Sequence, residues 1–191
     1  NWDWFSSIIR DAISKEPGRS VNVLNLFAYT GGATLSAAAA GAKVTHVDAA
    51  KGMVGWAKEN ARISGLKDAP VRWLVDDCVK FAEREIRRGN VYDAIIMDPP
   101  SYGRGPKGEI WKLEDCVFSL IERTALLLAN KPLFVLINSY TTGLQSSVLS
   151  YMMNTVYAKR FGGRVEAGEV GLPVTSNNLV LPCGSSGRFL A

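Results

Sequence analysis

The chain has 191 residues, a hydrophobic fraction of 47% and a formal net charge of +4 at pH 7. This length suits one compact domain with a sizeable core, and no apolar stretch approaches the roughly 20 residues that a helix needs to cross a bilayer. We therefore expect no membrane-spanning segment. The modest positive charge is compatible with an anionic partner such as RNA but does not require one.

The first residue is Asn1 rather than methionine, and no basic segment with an apolar leader follows it. We therefore expect residues 1–191 to form a single domain that is a fragment of a longer protein and lacks an N-terminal domain. Three widely spaced cysteines and a single histidine, His46, offer no ligand set for a metal. We expect reduced thiols, no metal site and a cytoplasmic location.

Apolar strand-like runs alternate with segments of helical period over the first 160 residues. An amphipathic helix is predicted before the KEPGR segment, and strands are predicted over 21–29, 43–50, 71–78, 92–98 and 131–140. The first, fourth and fifth of these strands are almost continuously apolar, which is typical of parallel strands that are covered on both faces.

The pattern changes after Arg160. The segments GRVEAGEVGLPV and NLVLPCGSSGRFLA are predicted to be two strands of an antiparallel hairpin, joined by the short polar turn TSNN. Repeated β-α units followed by a closing hairpin indicate an α/β protein with a doubly wound, mainly parallel sheet and an antiparallel edge.

In such open sheets, ligands bind beyond the carboxyl ends of the strands. The first strand ends in Gly31 and Gly32, which permit a tight turn whose amide groups could hold an anionic group, although a simple packing turn would look the same. The second strand ends in Asp48, 17 residues beyond Gly31, a spacing at which a carboxylate accepts hydrogen bonds from ribose hydroxyls. The alternative for Asp48 is an N-cap for the helix that begins near Lys51.

The third and fourth strands also end in acidic residues. Asp76 and Asp77 could accept the amino group of an adenine, and Asp77 could equally cap the following helix. The fourth strand ends in Asp98-Pro99-Pro100, where two prolines remove competing amide donors and leave a mouth rich in acceptors. We interpret His46, inside the second strand, as a core histidine.

These segments together resemble a known family. NLFAYTGG, THVDAAKGMVGWAKEN, VDDCVKF and IIMDPPSYGRG are similar, in order and spacing, to the motifs of class I S-adenosylmethionine-dependent methyltransferases. More narrowly, they resemble a bacterial group related to 23S rRNA methyltransferases. The resemblance implies a Rossmann-like sheet of seven strands in the order 3-2-1-4-5-7-6 with a reversed last strand. Relatives often carry an N-terminal RNA-binding domain.

The resemblance also implies a binding site for S-adenosyl-L-methionine. Asp48 is expected to bind the ribose and Asp77 the adenine. The methionine part would be surrounded by Phe27, Tyr29, Thr30, Gly31 and Gly32, and the implied set is completed by Ala28, Ala49, Met53, Cys78 and Asp98.

Methyl transfer is an in-line displacement in which the protein mainly aligns donor and acceptor. Phe27 or Tyr29 could face the cationic sulfonium. Asp98 and the carbonyl groups around Pro99 and Pro100 could hold an N–H of the acceptor, which makes this segment the predicted catalytic one.

The loop after the fourth strand is the predicted binding region for the acceptor. Tyr102 could stack on a nucleobase or merely fill the loop. Arg104, Lys107 and Lys112 could contact a phosphate backbone, although a solvated charged loop is the simpler alternative.

The end of the fifth strand departs from the relatives that methylate cytosine at C5. Those enzymes carry a nucleophilic cysteine there, whereas this chain has Asn138, Ser139 and Tyr140. We therefore expect attack by a base nitrogen of RNA, and the resemblance implies ribosomal RNA. Three alternatives remain: a methyltransferase for a small molecule or protein, a nicotinamide-dependent oxidoreductase and a non-catalytic scaffold.

Overall fold

The computed structural model describes residues 1–104 and 110–191. Strands and helices alternate regularly over the first half of the chain, as the sequence predicts. In chain order they are α1 (Trp2–Lys15), β1 (Asn22–Leu26), α2 (Gly32–Ala39), β2 (Lys43–Asp48), α3 (Lys51–Ile63), β3 (Val71–Val75), α4 (Cys78–Arg88) and β4 (Ala94–Met97).

The second half contains a small hairpin, further helices and the closing strands. Its elements are β5 (Tyr102–Arg104), β6 (Ile110–Lys112), α5 (Leu113–Ala125), β7 (Phe134–Ser139), α6 (Ser146–Met153), α7 (Lys159–Phe161), β8 (Arg164–Val174) and β9 (Leu179–Leu190). A π-helical segment, Asn154–Ala158, joins α6 to α7.

Seven strands form one sheet in the order β3-β2-β1-β4-β7-β9-β8. The first five are parallel, and β9 pairs antiparallel with both β7 and β8. When the seven are counted along the chain, this is the predicted order 3-2-1-4-5-7-6. The doubly wound, Rossmann-like prediction is confirmed, including the closing hairpin.

Both faces of the sheet are covered by helices, which explains the continuous apolar runs in β1, β4 and β7. Ile95 and Met97 pack in a core with α4, α5 and α6. Ala94 and Ile96 alternate to the other face and pack in a core with α1 and α2. Each fully buried aliphatic or aromatic side chain contributes roughly 1.5–3 kcal/mol, so these strands hold the sheet rigidly under the loops at its edge.

Two features differ from the sequence prediction. The strand predicted over 21–29 ends at Leu26, because Phe27 and Tyr29 take left-handed backbone conformations with φ of 56° and 48°. The antiparallel pair β5–β6 was not predicted, since each of its strands has only three residues. Within the described residues, no helix is long and apolar enough to cross a membrane.

Candidate functional site

The carboxyl ends of the five parallel strands lie at one edge of the sheet. Leu26 at the end of β1 is in register with Val47 of β2 and with Met97 of β4, and Met97 is in register with Ile137 of β7. The loops that follow these strands therefore converge. The structure thus brings together the predicted residues that follow β1, β2, β3 and β4.

Asp48 ties two of these loops together. Its Oδ2 accepts a hydrogen bond from the amide of Tyr29 at 2.8 Å, and its Oδ1 accepts one from the amide of Ala50 at 2.8 Å. Ala50 is the N-cap residue of α3, so Asp48 holds the residue before the helix rather than capping the first turn itself. A carboxylate has about four lone-pair positions, which leaves room for two hydroxyl donors.

The loop after β1 is strained and strongly anchored. A left-handed conformation costs a non-glycine residue about 1–2 kcal/mol, and both Phe27 and Tyr29 adopt one. The amide of Phe27 donates to Cys78 Sγ at 3.1 Å, and the amide of Ala28 donates to the Val47 carbonyl at 3.1 Å. Such strain, over-determined by its surroundings, is typical of ligand-binding turns.

Space restricts both glycines of this turn, and the backbone conformation also restricts Gly31. Gly31 has φ of 84°, and a Cβ on it would lie 2.9 Å from Cβ of Ala57. A Cβ on Gly32 would lie 2.6 Å from Cζ2 of Trp2. Asn60 Nδ2 donates to the Thr30 carbonyl at 2.9 Å and closes the turn against α3. Because Gly31 has no side-chain oxygen, it leaves the first-turn amides of α2 uncapped and available to an anionic group.

The acidic pair after β3 makes contacts within the protein. Asp77 Oδ1 accepts a hydrogen bond from the amide of Lys80 at 2.9 Å and so caps α4. Asp76 forms an ion pair with Arg84. The capping role predicted as an alternative for Asp77 is therefore present, and its other carboxylate oxygen remains for a ligand.

Cys78 holds neighbouring backbone segments together through its hydrogen bonds and is not a reactive thiol. Its side chain is buried, its Sγ accepts from Phe27 and lies 3.5 Å from the Val47 carbonyl, and burial raises the pKa of the thiol. A thiol that stays protonated is a poor nucleophile. Its contribution to the site is to join the loops after β1 and β3.

Asp98 is half-buried at the end of β4, beside a buried Pro99 and an exposed Pro100. Burial raises the pKa of the Asp98 carboxyl, and hydrogen bonds from Asn138 and Tyr140 oppose that rise without cancelling it. Asn138 Nδ2 donates to Asp98 Oδ1 at 3.2 Å. The Asp98 carboxylate is thus partly shielded from solvent and still has lone pairs that can accept further hydrogen bonds.

The β5–β6 hairpin fastens onto the prolyl turn. Trp111 Nε1 donates to the Pro100 carbonyl at 2.7 Å, and its ring packs on that of Phe27 with 5.4 Å between centroids. The carbonyl of Ser101 accepts from the amide of Leu113 at 3.0 Å. The Pro100 carbonyl therefore already accepts one hydrogen bond from Trp111, and its second lone pair remains for the predicted contact with the acceptor.

The remaining predicted residues lie around this edge. Ala49 is exposed and Met53 is half-buried, both next to Asp48 at the start of α3. Tyr102 is 51% exposed on β5. Lys107 and the side chain of Arg104 lie outside the part of the chain that the structure describes.

A cavity of about 350 Å³ opens between α4 and α5, beside Asp77. Ile110 and Trp111 of β6 line it together with Val79 of α4. The hairpin that was not predicted thus borders both the prolyl turn and this cavity. Across the described ranges, 1–104 and 110–191, we find no cluster of three or more His, Cys, Asp or Glu side chains that could hold a metal ion.

His46 is a core residue, as interpreted from the sequence. It is fully buried, its Nδ1 lies 2.9 Å from Thr34 Oγ1, and its ring lies 4.8 Å from that of Trp73. Thr34 Oγ1 also accepts from Asn25 Nδ2 at 2.9 Å. Burial lowers the pKa of His46 to about 4, so the imidazole is neutral at physiological pH.

Sequence reasoning missed three residues at this edge: Asn138, Tyr140 and Trp111. Asn138 and Tyr140 had been considered only as evidence that no cysteine is present. The rule that functional side chains follow the ends of parallel strands would have found both, because they occupy the end of β7 just as Asp98 occupies the end of β4.

A doubly wound sheet with a glycine turn after β1 and acidic side chains after β2 and β4 defines a nucleoside-binding, Rossmann-like domain. Residues 9–166 match the family model of S-adenosylmethionine-dependent methyltransferases, and the chain belongs to that family. Its cofactor is S-adenosyl-L-methionine.

The chain is similar to a protein of known crystal structure and to two curated sequences. A crystal structure of an S-adenosylmethionine-dependent methyltransferase from Agrobacterium tumefaciens shares 38% identity and a TM-score of 0.87, covering 99% of this chain and 60% of that one. The ribosomal RNA large subunit methyltransferase K/L of Shewanella frigidimarina is 37% identical over 49% of this chain and 13% of that protein. The protein of the same description from Pseudoalteromonas atlantica is 44% identical over 45% of this chain and 12% of its own length.

The matched region is therefore a small part of the curated relatives, about an eighth of their length.

Proposed function

We propose that this chain is a catalytic domain that transfers the methyl group of S-adenosyl-L-methionine to a nitrogen of an RNA base. The observation that carries the proposal is the convergence of Asp48 and Asp98 on one edge of the sheet, each with unused acceptor positions. Asp48 suits the donor, and Asp98 suits the acceptor.

The donor would occupy the loops after β1, β2 and β3. Asp48 would accept hydrogen bonds from both ribose hydroxyls, and Asp77 would take the adenine amino group with the oxygen that does not cap α4. The methionine part would lie on the glycine turn, with its carboxylate at the first-turn amides of α2. Ala49 and Met53 would flank the nucleoside.

The chemistry needs alignment more than it needs an enzyme nucleophile. A lone pair on the base nitrogen attacks the methyl carbon, the carbon–sulfur bond breaks, and its electron pair stays on sulfur to give S-adenosylhomocysteine. Asp98 would accept an N–H of the same base and hold it in line, with Pro99 and Pro100 stiffening the turn. An attacking amino nitrogen then loses one proton to Asp98 or to solvent, whereas an attacking ring nitrogen leaves a positively charged ring.

A covalent C5 mechanism is not proposed. Cys78 is buried and hydrogen-bonded, Cys116 lies on α5 and Cys183 lies on β9. The end of β7 carries Asn138, Ser139 and Tyr140 and no cysteine.

We propose ribosomal RNA as the acceptor and the cytoplasm as the place of action. The curated relatives are described as ribosomal RNA large subunit methyltransferases, and the exposed aromatic rings of Tyr29, Tyr102 and Tyr140 at this edge suit stacking on a nucleobase. Arg104 and Lys107, which follow Tyr102 closely in the sequence, would contact the phosphate backbone.

The test is methyl transfer from radiolabelled S-adenosylmethionine to total RNA, to protein and to a small-molecule extract, followed by nucleoside mapping of the labelled product. We expect label in ribosomal RNA, on a base nitrogen. Asp98→Ala should lower the rate by about 10²–10⁴-fold and leave donor affinity nearly unchanged. Asp68→Asn, at an exposed aspartate before β3, is the matched control. Label confined to protein or small molecules would contradict the RNA part of the proposal.

A further inference from the structure

We propose that Asn138 and Tyr140 are positioning residues that keep Asp98 ionised and aim its free oxygen at the acceptor, and that Arg188 sets the direction of the hydrogen bonds. This inference rests on the proposed role of Asp98. It concerns residues on β7 and β9 and in the loop after β7, none of which belongs to the motifs recognised in the sequence.

The placement follows from strand geometry. Met97 and Ile137 are paired neighbours on β4 and β7, so the next residues, Asp98 and Asn138, are also neighbours. Asn138 Nδ2 donates to Asp98 Oδ1 at 3.2 Å. Tyr140, directly after β7, is a further partner of the same carboxylate.

A series of hydrogen bonds that begins at Arg188 determines that Asn138 is the donor in its hydrogen bond with Asp98. A guanidinium can only donate, and Arg188 donates from Nε and Nη2 to Asn1 Oδ1 at 2.9 and 2.7 Å. The Asn1 amide must therefore present its Nδ2 to Asn138 Oδ1, at 3.2 Å. Asn138 in turn must present Nδ2, a donor, to Asp98 Oδ1.

This series of hydrogen bonds determines which side-chain atom of Asn1 and of Asn138 is nitrogen and which is oxygen. It also affects the protonation of Asp98. A donor that cannot be reversed favours an ionised carboxylate over a carboxylic acid at Oδ1. Arg188 itself packs on the ring of Trp4 in α1, with 5.1 Å from its Cζ to the ring centroid. Helix α1 therefore holds the residue from which this series of hydrogen bonds begins.

Tyr140 supplies the second donor. Burial and the neighbouring Asp98 raise the pKa of Tyr140 to about 12, so its hydroxyl keeps its proton and acts as a donor rather than as a base. The ring lies against the backbone of β9, since a Cβ on Gly184 would be 2.9 Å from Tyr140 Cδ1. Among the residues that the structure describes, Tyr140 is the titratable group beside Asp98, and Cys183 on β9 lies beside Tyr140 in turn.

Hydrogen-bond donors beside the half-buried Asp98 carboxylate lower its pKa, whereas burial raises it. Without them, burial would raise the Asp98 pKa further, and the protonated, non-accepting form of Asp98 would persist to higher pH. With them, Asp98 remains an acceptor with one oxygen turned toward the N–H of the base. Asn138 and Tyr140 thus act through Asp98 and not on the methyl group.

The experiment compares wild type, Tyr140→Phe, Asn138→Asp and the control Tyr151→Phe, an exposed tyrosine on α6. The Asp98 pKa is measured by carboxyl-carbon NMR on the protein alone, and the pH profile of kcat/KM is measured with total ribosomal RNA. In Tyr140→Phe we expect the pKa and the acid limb of the profile to rise together. The rate should fall most at the acid end of the profile and recover as the pH rises, with unchanged affinity for S-adenosylhomocysteine.

Asn138→Asp places a second carboxylate beside Asp98 and should raise the Asp98 pKa further, whereas Tyr151→Phe should change nothing. An unchanged Asp98 pKa in both Tyr140→Phe and Asn138→Asp would overturn the inference. If wild type methylates no RNA while the NMR pKa moves as expected, the proposed function fails and the positioning role stands. A loss of rate that is equal at all pH values, with no pKa change, would indicate a merely structural role and would also overturn it.

Discussion

The two edges of the sheet both carry acidic side chains, and the protein uses them in different ways. At the amino-end edge, Glu85 is only 1% exposed and accepts hydrogen bonds from Tyr92 Oη at 2.8 Å, Asn90 Nδ2 at 2.9 Å and Arg88 Nη1 at 3.0 Å. Burial alone would raise the Glu85 pKa, but these donors outweigh it and bring the pKa below its ordinary value.

At the carboxyl-end edge, the balance is reversed. Asp98 has the hydrogen bonds from Asn138 and Tyr140, yet burial keeps its pKa above the ordinary value. Asp48 uses one lone pair of each oxygen on the backbone of two loops and keeps the others. The difference teaches that a buried carboxylate with three donors stabilises the fold, whereas one with fewer donors at a loop edge is placed for a ligand.

The comparison predicts its largest effect at Asp48. Asp48→Ala removes two charge-assisted acceptors for the ribose hydroxyls, each worth about 1.5–3 kcal/mol, so donor affinity should fall by roughly 10²–10⁴-fold. Isothermal titration with S-adenosylmethionine measures this. Glu85→Gln is the matched control from the opposite edge and should bind the donor like wild type; equal losses in the two variants would erase the distinction between the edges.

Glu85→Gln should instead destabilise the fold by about 2–3 kcal/mol, because an uncharged amide cannot accept from all three donors and leaves one of them unsatisfied. Urea denaturation followed by circular dichroism checks this, with Asp48→Ala measured alongside. If Glu85→Gln proves as stable as wild type, the amino-end edge is not the stabilising one.

Between the edges, buried His46 should make stability depend on pH. The folded pKa of about 4 lies below the ordinary value of 6.5, so the unfolded chain binds the extra proton between these values. The free energy of unfolding should therefore fall as pH drops from about 6.5 towards about 4, by roughly 2 kcal/mol at pH 5. Denaturation of wild type and His46→Asn at several pH values measures the slope, which the variant should lose.

The smallest predicted contrast is between two glycines with positive φ. Gly31→Ala and Gly89→Ala both force alanine into a left-handed conformation, at φ of 84° and 69°, and each should cost about 1 kcal/mol of stability. Only Gly31→Ala also pushes against Ala57 in the turn proposed to hold the donor, since Gly89 at the end of α4 has open space. Weaker donor binding in Gly31→Ala alone is expected, and thermal shifts with S-adenosylmethionine compare them.

The local apolar pattern and the rule for strand ends were sufficient for the parallel strands and for the positions of Asp48 and Asp98, whereas the strand order was implied by the resemblance to the methyltransferase family. The sequence was not sufficient for the contacts that complete the site. The hydrogen bond between Asp48 and the Tyr29 amide depends on an unusual backbone conformation at Tyr29. The bond between Arg188 and Asn1 joins the two ends of the chain, and no local pattern encodes it.

Trp111 illustrates the same limit. Its indole bonds the Pro100 carbonyl from a strand of three residues, too short to show a period of two. The sequence therefore did not show that Trp111 takes one of the two lone pairs of the Pro100 carbonyl.

The most direct test of the account is a crystal structure of the protein with S-adenosylhomocysteine. We predict ribose hydroxyls within hydrogen-bond distance of Asp48, the homocysteine carboxylate at the start of α2, and the sulfur facing the side of the turn where Asp98 stands. A ligand bound at the amino-end edge, or one bound at the carboxyl-end edge with its sulfur turned away from Asp98, would contradict the account.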